Sequence, residues 1–316
     1  MKILHYHHNG VGVVLSNEMN TRPNITSKVF TTARHPFGFK ADYVLPPNIP
    51  ILGSQNLSYW ILFSTLHKRY DILHSHDGIP LPQRVLRKWS GRVVQHYHNP
   101  LFTDFYPHTP IPSFVSTPAM TLTIPNSVWM PLPIDPLKFH PGVRLYNPYN
   151  PVIGFSYNIS ADKNKLKYIP LNELMQFSRD CKQVIMKGLS DSIHHTKMPA
   201  YYQSIDIYVD RLGLDSYGWQ AIEAAACGCV VVTQAKNSPE DCPFSYATPE
   251  TLSNVLESII TLPVKMFINM KHQSIEYANK YHNVSTLVDR YLQYYSNLGD
   301  LNAFKNCMEH TSITAI

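Results

Sequence analysis

Asp215 and Glu223 are two acidic residues eight positions apart, in a stretch where the sequence predicts a loop, a helix, a turn and a buried strand. Gly218 permits a tight turn at which a helix can begin, because glycine lacks the Cβ that restricts the backbone angles. The alanine-rich residues that follow favour helix, and Gly228 suits its C-terminal end. Residues 230–232 are all valine, which is typical of a strand buried in a parallel sheet.

The spacing of these two acids permits a specific chemistry. Eight helical residues rise roughly 12 Å, which is comparable to the distance between the sugar and the ribose of a nucleotide-sugar. The backbone amides near Ser216, Tyr217 and Gly218 lie between the acids, where a helix N-terminus favours a diphosphate. One acid would then hold a sugar and the other a ribose. The alternative is an ordinary capped helix, with Asp215 in its first turn and Glu223 in solvent.

The same stretch resembles a motif of the retaining glycosyltransferases of the GT-B fold, glycosyltransferase family four. That motif is Glu-Gly-Phe-Gly, a second Glu eight residues after the first, and then Ala-x-Ala-x-Gly-x-Pro-Val-Val. The matching residues are Asp215, Tyr217, Gly218, Glu223, Ala224, Ala226, Gly228, Val231 and Val232. The chain departs from the motif at the first acid, which is one methylene shorter, at Ser216 in place of a glycine, and at Val230 in place of the proline.

The resemblance implies a role for each part of the motif. Glu223 would hold the ribose hydroxyls through charge-assisted hydrogen bonds, and Asp215 would hold hydroxyls of the donor sugar. The amides of residues 216–218 and a lysine, Lys163 or Lys165, would stabilise the departing diphosphate. In the family an arginine shares this task, but Tyr157 stands in its position here. The alternative for both lysines is a solvated loop.

Two features of the first half resemble the same family. Gly10 and Gly12 follow a predicted strand and precede a predicted helix, like the glycine turn that lies against the donor. A bare strand-to-helix turn is the alternative. The strands predicted over residues 70–76 and 91–98 resemble Asp-Val-Ile-His-x-His and Val-x-Thr-x-His-Gly, so His98 matches the histidine near the donor sugar. A strand-end histidine with a backbone partner is the alternative for His98.

Alternation of strands and helices predicts parallel α/β sheets, and the resemblance implies two doubly wound Rossmann-like domains facing a cleft. We therefore expect an acceptor-side domain over residues 1–147 and a nucleotide-sugar-binding domain over residues 148–316, with a last helix able to cross back. Smaller predicted elements are helices over residues 57–67 and 83–89 and a short strand over residues 121–124.

Composition indicates a folded globular protein. The chain has 316 residues, of which 44% are hydrophobic and 16% are charged. No apolar run approaches the length of a membrane span, and the short polar start differs from a signal peptide. Five cysteines without CxxC spacing are typical of reduced thiols, so we expect a cytoplasmic protein.

The histidine-rich N-terminus raises the question of a metal. His5 and His7 would share one face of the first strand, but no third ligand with metal-site spacing lies nearby in the sequence. We therefore expect histidines that pack or lie on the surface, with no metal and no separate cofactor. The chain also lacks Asp-x-Asp, the usual metal-binding motif of the other large glycosyltransferase fold, so activity should be independent of divalent cations.

Charge is shared unevenly along the chain. Residues 1–145 contain 13 Lys and Arg against 6 Asp and Glu, a net +7, whereas residues 146–316 contain 14 against 16, a net −2. A basic first half indicates an anionic partner or an anionic membrane surface, and no nucleic-acid motif is present. A predicted helix there either lies peripherally on an anionic membrane carrying a lipid acceptor or is a solvated face over a buried stripe. Its basic residues are Arg84, Arg87, Lys88 and Arg92.

Together these features predict a retaining glycosyltransferase of the hexosyltransferase type. It would move a sugar from a nucleotide-sugar to a glycan, a lipid-linked acceptor or a protein. Two alternatives stay open: a nucleotide-sugar epimerase of the same fold, and a catalytically silent GT-B domain that binds a nucleotide-sugar or scaffolds a partner. Tyr157 in the arginine position and Asp215 in place of a glutamate favour the silent domain.

Overall fold

The computed structural model describes residues 1–6, 10–31, 37–44, 66–76, 88–89, 92–98, 111–125, 127–156, 168–189 and 193–298. Most residues of the helices predicted over 57–67 and 83–89 lie outside these ranges, as do Tyr157, Lys163 and Lys165. The chain forms two compact units. The first comprises Met1–Pro133 and Val284–Ile316, and the second comprises Ile134–Asn283.

The elements alternate between strands and helices along much of the chain. The strands are β1 (Lys2–Tyr6), β2 (Thr26–Thr31), β3 (Tyr43–Val44), β4 (Ile72–His76), β5 (Val93–Tyr97), β6 (Ser113–Val115), β7 (Ser127–Trp129), β8 (Val152–Ser156), β9 (Ile185–Leu189), β10 (Ile207–Val209), β11 (Val230–Thr233) and β12 (Ser245–Tyr246). The helices of the described ranges are α1 (Gly10–Met19), α2 (Leu171–Asp180), α3 (Met198–Tyr202), α4 (Trp219–Ala226), α5 (Leu252–Ile260), α6 (Val264–His282) and α7 (Val284–Ser296).

The first unit is built on a seven-stranded sheet with the order β3-β2-β1-β4-β5-β6-β7, and its neighbouring strands pair in parallel. Strands β4 and β5 are buried along their whole length, as expected of a parallel sheet covered by helices. The register places His5 of β1 beside His74 of β4, and His76 of β4 beside His96 of β5. Pairing therefore gathers histidines that are far apart in the sequence.

Helix α7 belongs to the first unit although it follows the whole second unit in the chain. The Arg22 side chain, just after α1, donates to Asp289 Oδ1 at 2.9 Å and to the carbonyl of Ser285 at 3.0 Å. Tyr291, in the middle of the helix, is fully buried. One polar anchor and one apolar face therefore hold α7 on this unit.

The second unit is built on a five-stranded parallel sheet with the order β12-β11-β10-β8-β9. One buried cluster contains Tyr208 and Val231 together with Ala224 of α4 and Ala278 of α6. The other contains Val209 and Val232 together with residues of α2 and α5. Alternate residues of β10 and β11 thus enter opposite clusters, which is the expected alternation of a strand covered on both faces. The predicted doubly wound α/β class is confirmed.

The units change at residue 133, whereas the sequence predicted a boundary after residue 147. Residues 134–147 pack in the second unit because Ile134 and Phe139 are part of its core. The Ile134 amide also donates to the carbonyl of His282 at 2.7 Å, where the chain leaves that unit. The prolines near residue 140 therefore belong to the second unit.

The strand predicted over residues 121–124 is wrong. Residues Pro118–Leu122 form a short 3₁₀ helix, and Thr123 only caps it. Pro118 stands in the first turn, where its fixed φ and missing amide hydrogen fit a helix start. The Thr121 hydroxyl bonds back to the carbonyl of Pro118 at 2.7 Å. The β-branched threonines suggested a strand, but the proline before them decided the local structure.

The described helices and cysteines bear on two further sequence predictions. By length and composition, no single described helix is fit to cross a bilayer. One pair, Pro249–Ile260 with Val264–His282, passes the same criteria only when its two helices are taken together, and it is bent by 116°. The described cysteines at 181, 227, 229 and 242 are free thiols. Cys307 lies outside the described ranges, as do Arg84 and Arg87 of the predicted basic helix.

Candidate functional site

Helix α4 follows β10 and precedes β11, as the sequence predicts. Gly218 is its N-terminal cap, and Gly228 beyond its end has a φ of +86°, which few residues other than glycine adopt. In doubly wound sheets ligands bind beyond the carboxyl ends of the strands. The segment between β10 and α4 lies at such an end and contains four predicted site residues, Asp215, Ser216, Tyr217 and Gly218. The candidate site of the second unit is therefore the loop and first turns around α4.

Glu223 lies inside α4 and is 2% exposed. Its Oε1 accepts a hydrogen bond from His195 Nε2 at 2.5 Å, and its Oε2 accepts one from the Tyr202 hydroxyl at 3.0 Å. Burial raises the pKa of Tyr202 well above its usual value, and the charge of Glu223 raises it further, so this hydroxyl stays a donor. The alternative of a helix with Glu223 in solvent is wrong. Ribose binding by Glu223 stays a prediction, and a ribose hydroxyl would have to share or replace these two donors.

Lys138 and His195 extend the Glu223 cluster. Lys138 Nζ lies 2.6 Å from His195 Nδ1. An ammonium can only donate hydrogen bonds, so Nδ1 of the His195 imidazole is the acceptor of this contact. The other nitrogen of that imidazole, Nε2, then donates its hydrogen to Glu223. Burial lowers the pKa of Lys138, while the charges of Glu223 and Asp135 act to raise it.

Sequence reasoning missed both residues. The contacts cross 57 positions between Lys138 and His195 and 28 positions between His195 and Glu223. His195 stands in a short 3₁₀ helix before α3, and its ring centre is 5.4 Å from that of Trp219, the first residue of α4. The proline-rich sequence around Lys138 gave no indication that this lysine lies in the site. Only tertiary packing brings the three residues together.

Asp215 is exposed and lies before α4 rather than in its first turn. Its Oδ1 accepts hydrogen bonds from the backbone amides of Lys236 at 2.6 Å and Asn237 at 3.1 Å. Its Oδ2 accepts one from the side-chain amide of Asn237. The carboxylate thus fastens the loop that follows β11. Contact with a donor sugar stays a prediction for Asp215.

The amides predicted to meet a diphosphate differ in their surroundings. The Gly218 amide donates to Asp210 Oδ2 at 2.7 Å, so a buried carboxylate already occupies the position that a helix N-terminus offers to an anion. Tyr217 is a core residue, and its hydroxyl lies 2.9 Å from that of Tyr277. Ser216 is buried beside it. Phosphate binding by residues 216–218 stays a prediction, and at Gly218 it requires Asp210 to give way.

Ser156, at the end of β8, is joined to the same helix. Its hydroxyl donates to Gln220 Oε1 at 2.8 Å, and the Tyr208 hydroxyl approaches the same oxygen at 3.4 Å. The segment that follows Ser156 contains Lys163 and Lys165, which lie outside the described residues. Their predicted role at the diphosphate stays a prediction.

In the first unit, His98 follows β5 and is the partly exposed end of a histidine chain. Its Nε2 lies 2.8 Å from His76 Nδ1, and His76 Nε2 lies 3.0 Å from His5 Nδ1. His98 Nδ1 lies 2.6 Å from the Ser116 hydroxyl, which is 3.2 Å from His96 Nε2. Both ring nitrogens of His98 therefore already have partners in the protein. Its contact with a donor sugar stays a prediction.

The four fully buried histidines of this hydrogen-bonded cluster are neutral. Burial lowers the pKa of His5 to about 3 and holds those of His74, His76 and His96 well below the usual value of 6.5. His5 packs inside the sheet, as the sequence predicts. Strand pairing places His74 and His76 against it, which spacing in the sequence did not indicate.

A shared metal ion fits these rings poorly. The groups His5–His74–His76 and His76–His96–His98 each offer ligand atoms within 4.8 Å of one another. However, the nitrogens of successive rings are only 3.0 and 2.8 Å apart, whereas two ligands of one tetrahedral zinc lie roughly 3.3 Å apart. The 2.8 Å between His76 Nδ1 and His98 Nε2 is the distance of a direct hydrogen bond. The geometry suits shared hydrogens, and the predicted lack of a metal stays a prediction.

Gly10 and Gly12 fall within α1 rather than in a turn before it. A Cβ on Gly10 would lie 2.6 Å from the ring of Phe39, and one on Gly12 would lie 3.1 Å from His76 Nε2. The protein's own side chains therefore explain both glycines. Their contact with a donor stays a prediction.

Comparison with known structures identifies proteins with a similar fold. No protein-family model and no curated protein sequence matches the chain. Sucrose-phosphate synthase from Thermosynechococcus elongatus is similar in structure, with a TM-score of 0.63 and 12% identity over 95% of this chain and 99% of that one. An α-glucosyltransferase in complex with UDP and DNA has a TM-score of 0.61 and 10% identity over 94% and 99% of the two chains.

An enzyme of another reaction class is also similar. UDP-GlcNAc 2-epimerase from Neisseria meningitidis, bound to UDP-GlcNAc, has a TM-score of 0.57 and 13% identity over 93% of this chain and 99% of that one. At such identities the likeness concerns the fold alone. The chain has the GT-B fold, with two Rossmann-like α/β units, which glycosyltransferases and nucleotide-sugar epimerases share.

Proposed function

We propose that the protein is a retaining, metal-independent glycosyltransferase that takes its sugar from a nucleotide-sugar, with UDP as the first nucleotide to test. The observation that carries this proposal is the buried carboxylate of Glu223, held by two donors within the helix that follows the Asp215 loop. Keeping a carboxylate buried is costly unless it is paired. A second acid eight residues earlier and similar structures that contain UDP or a UDP-sugar support the same reading.

Each predicted site residue has a role in this proposal. Glu223 binds the ribose, with Tyr202 and His195 setting the orientation of its carboxylate. Asp215 binds hydroxyls of the donor sugar from the loop before α4. Amides of residues 216–218 and a lysine counter the negative charge that develops on the departing diphosphate. His98 orients the sugar from the first unit, and the acceptor is a glycan, a lipid-linked molecule or a protein at a cytoplasmic site.

An epimerase of the same fold is the second candidate, and the histidine chain favours it. Epimerisation beside a nucleotide requires groups that remove and return a proton, and histidine is the side chain best suited to this near neutral pH. Four histidines surround His76, and of these five rings only His98 is partly exposed, so it is the one placed to exchange a proton with a substrate. A silent binding domain is the third reading and predicts affinity without turnover.

Three measurements separate these functions. A thermal-shift screen of UDP, GDP and ADP tests binding, because a ligand of the folded state raises the melting temperature. Proton NMR of the matching nucleotide-sugar, with and without acceptors and with EDTA present, tests turnover. Product that forms only with an acceptor and keeps the anomeric configuration supports the proposal. Conversion without an acceptor supports the epimerase, and binding without any conversion supports the silent domain.

A further inference from the structure

Lys138 is a partly buried cation of the second unit that lacks an ion-pair partner among the described residues. Arg144 pairs with Asp206 at 2.9 Å, and Lys280 pairs with Asp241 at 2.6 Å. For Lys138, in the part of the chain that the structure describes, the only hydrogen-bond partner is the neutral His195. Its ammonium lies 4.9 Å from the centre of the Phe139 ring, and the carboxylates of Glu223 and Asp135 attract it without a direct ion pair. A partly buried ammonium without a direct ion pair gains from an additional anion. Such a position is expected where an anion binds from outside.

The surroundings of Lys138 indicate which anion. His195 links Lys138 to Glu223, and the His195 ring lies beside Trp219, the first residue of α4. The ammonium therefore lies on the side of α4 where the nucleotide is proposed to bind. One of its three hydrogens is directed to His195 Nδ1. The other two have no acceptor among the described residues and are available for phosphate oxygens.

We propose that Lys138 binds the diphosphate of the nucleotide-sugar and supplies positive charge that the sequence had assigned to Lys163 or Lys165. This inference rests on the proposed function. His195 acts as a positioning residue, because its hydrogen bond to Glu223 fixes the tautomer that leaves Nδ1 free to accept from Lys138. A ribose on Glu223 and a diphosphate on Lys138 would then be held by one connected set of side chains.

Calorimetry with nucleotides of different charge tests the inference. The probes are the diphosphate that binds most tightly among UDP, GDP and ADP, its monophosphate and its nucleoside. Lys138→Met keeps the apolar stem and removes the charge, so affinity for the diphosphate should fall at least tenfold, the range for a lost charged hydrogen bond. Affinity for the nucleoside should change less than twofold. Lys138→Arg should restore most of the diphosphate affinity.

Lys197→Met is the matched control, since Lys197 is an exposed lysine two residues from His195; it should bind all three probes like the wild type. If the wild type binds the diphosphate and Lys138→Met binds it equally well, the role of Lys138 is overturned and the proposed function stands. An equal loss for diphosphate and nucleoside also overturns the role, because it indicates a packing effect. If the wild type binds none of the three diphosphates, the proposed function and this inference both fail.

Discussion

The two units bury polar side chains by different means. In the first unit, His5, His76 and His98 form a chain of hydrogen-bonded rings, in which burial keeps His5 and His76 neutral. In the second, Lys138, His195 and Glu223 form a cluster of opposite charges around one neutral ring. A neutral chain avoids the cost of burying charge but depends on every ring staying unprotonated. A charged cluster depends on all its members, because removing one of them leaves an unpaired buried group.

The largest expected effect is acid destabilisation of the first unit. The pKa values of His5, His74, His76 and His96 are lowered in the folded state, so their contribution is complete above pH 6.5, where both states are neutral. Below pH 6.5 the unfolded chain takes up protons that the folded unit does not. Each histidine then costs about 1 kcal/mol between pH 6.5 and 5.5, because the unfolded side chain is already half protonated at its reference pKa. The four together cost roughly 4 kcal/mol over that interval.

Hydrogen exchange by mass spectrometry at pH 7.5 and 5.5, corrected for the intrinsic pH dependence, measures this effect in each unit. Peptides from β1, β4 and β5 should lose protection at pH 5.5, while peptides from β10 and β11 should change little. Equal loss of protection in both units would contradict the assignment of the pH effect to the histidines.

The second effect concerns the charged cluster. Glu223→Ala removes the acceptor of two buried donors, His195 Nε2 and the Tyr202 hydroxyl. It also removes the carboxylate that is linked to Lys138 through His195. We expect a loss of about 3 kcal/mol in the free energy of unfolding, together with weaker nucleoside diphosphate binding. Urea denaturation measures the first and calorimetry the second. Glu257→Ala, at an exposed position of α5, is the control and should cost less than about 0.5 kcal/mol.

Local sequence patterns were sufficient for α4 but not for either polar cluster. Gly218, the alanines and Gly228 predicted the limits of that helix because capping and turn geometry depend on neighbouring residues. The contact between Lys138 and His195 depends on how residues 134–139 pack, which no local pattern encodes. The histidine chain required the order β1-β4-β5, which spacing alone does not give.

A smaller effect tests how the histidine network joins α7. The Tyr295 hydroxyl lies 2.6 Å from His74 Nδ1, whereas the Tyr291 hydroxyl lies 3.4 Å from His96 Nδ1. Both tyrosines are buried on the same helix, so each tyrosine-to-phenylalanine substitution removes only a hydroxyl. Tyr295→Phe should cost about 1.5 kcal/mol of unfolding free energy because it leaves a buried ring nitrogen unpaired. Tyr291→Phe should cost less than half as much, and the reverse order in urea denaturation would contradict the link between the shorter distance and the stronger hydrogen bond.

The smallest stability effect is expected at Asp215, where the acid is exposed and holds a loop instead of a buried partner. Asp215→Asn keeps an oxygen for the amides of Lys236 and Asn237, but its new NH₂ group faces the Asn237 side-chain amide, so one hydrogen bond is lost. The free energy of unfolding should fall by less than about 1 kcal/mol, as for an exposed hydrogen bond.

Turnover of the nucleotide-sugar by Asp215→Asn should fall at least tenfold while affinity for the free diphosphate stays within twofold, because the lost charge is proposed to contact the reacting sugar. Calorimetry beside a donor-consumption assay compares the two, with Glu223→Ala as the variant that weakens the diphosphate. If Asp215→Asn weakens the diphosphate as strongly as Glu223→Ala does, then one acid does not serve the sugar and the other the ribose.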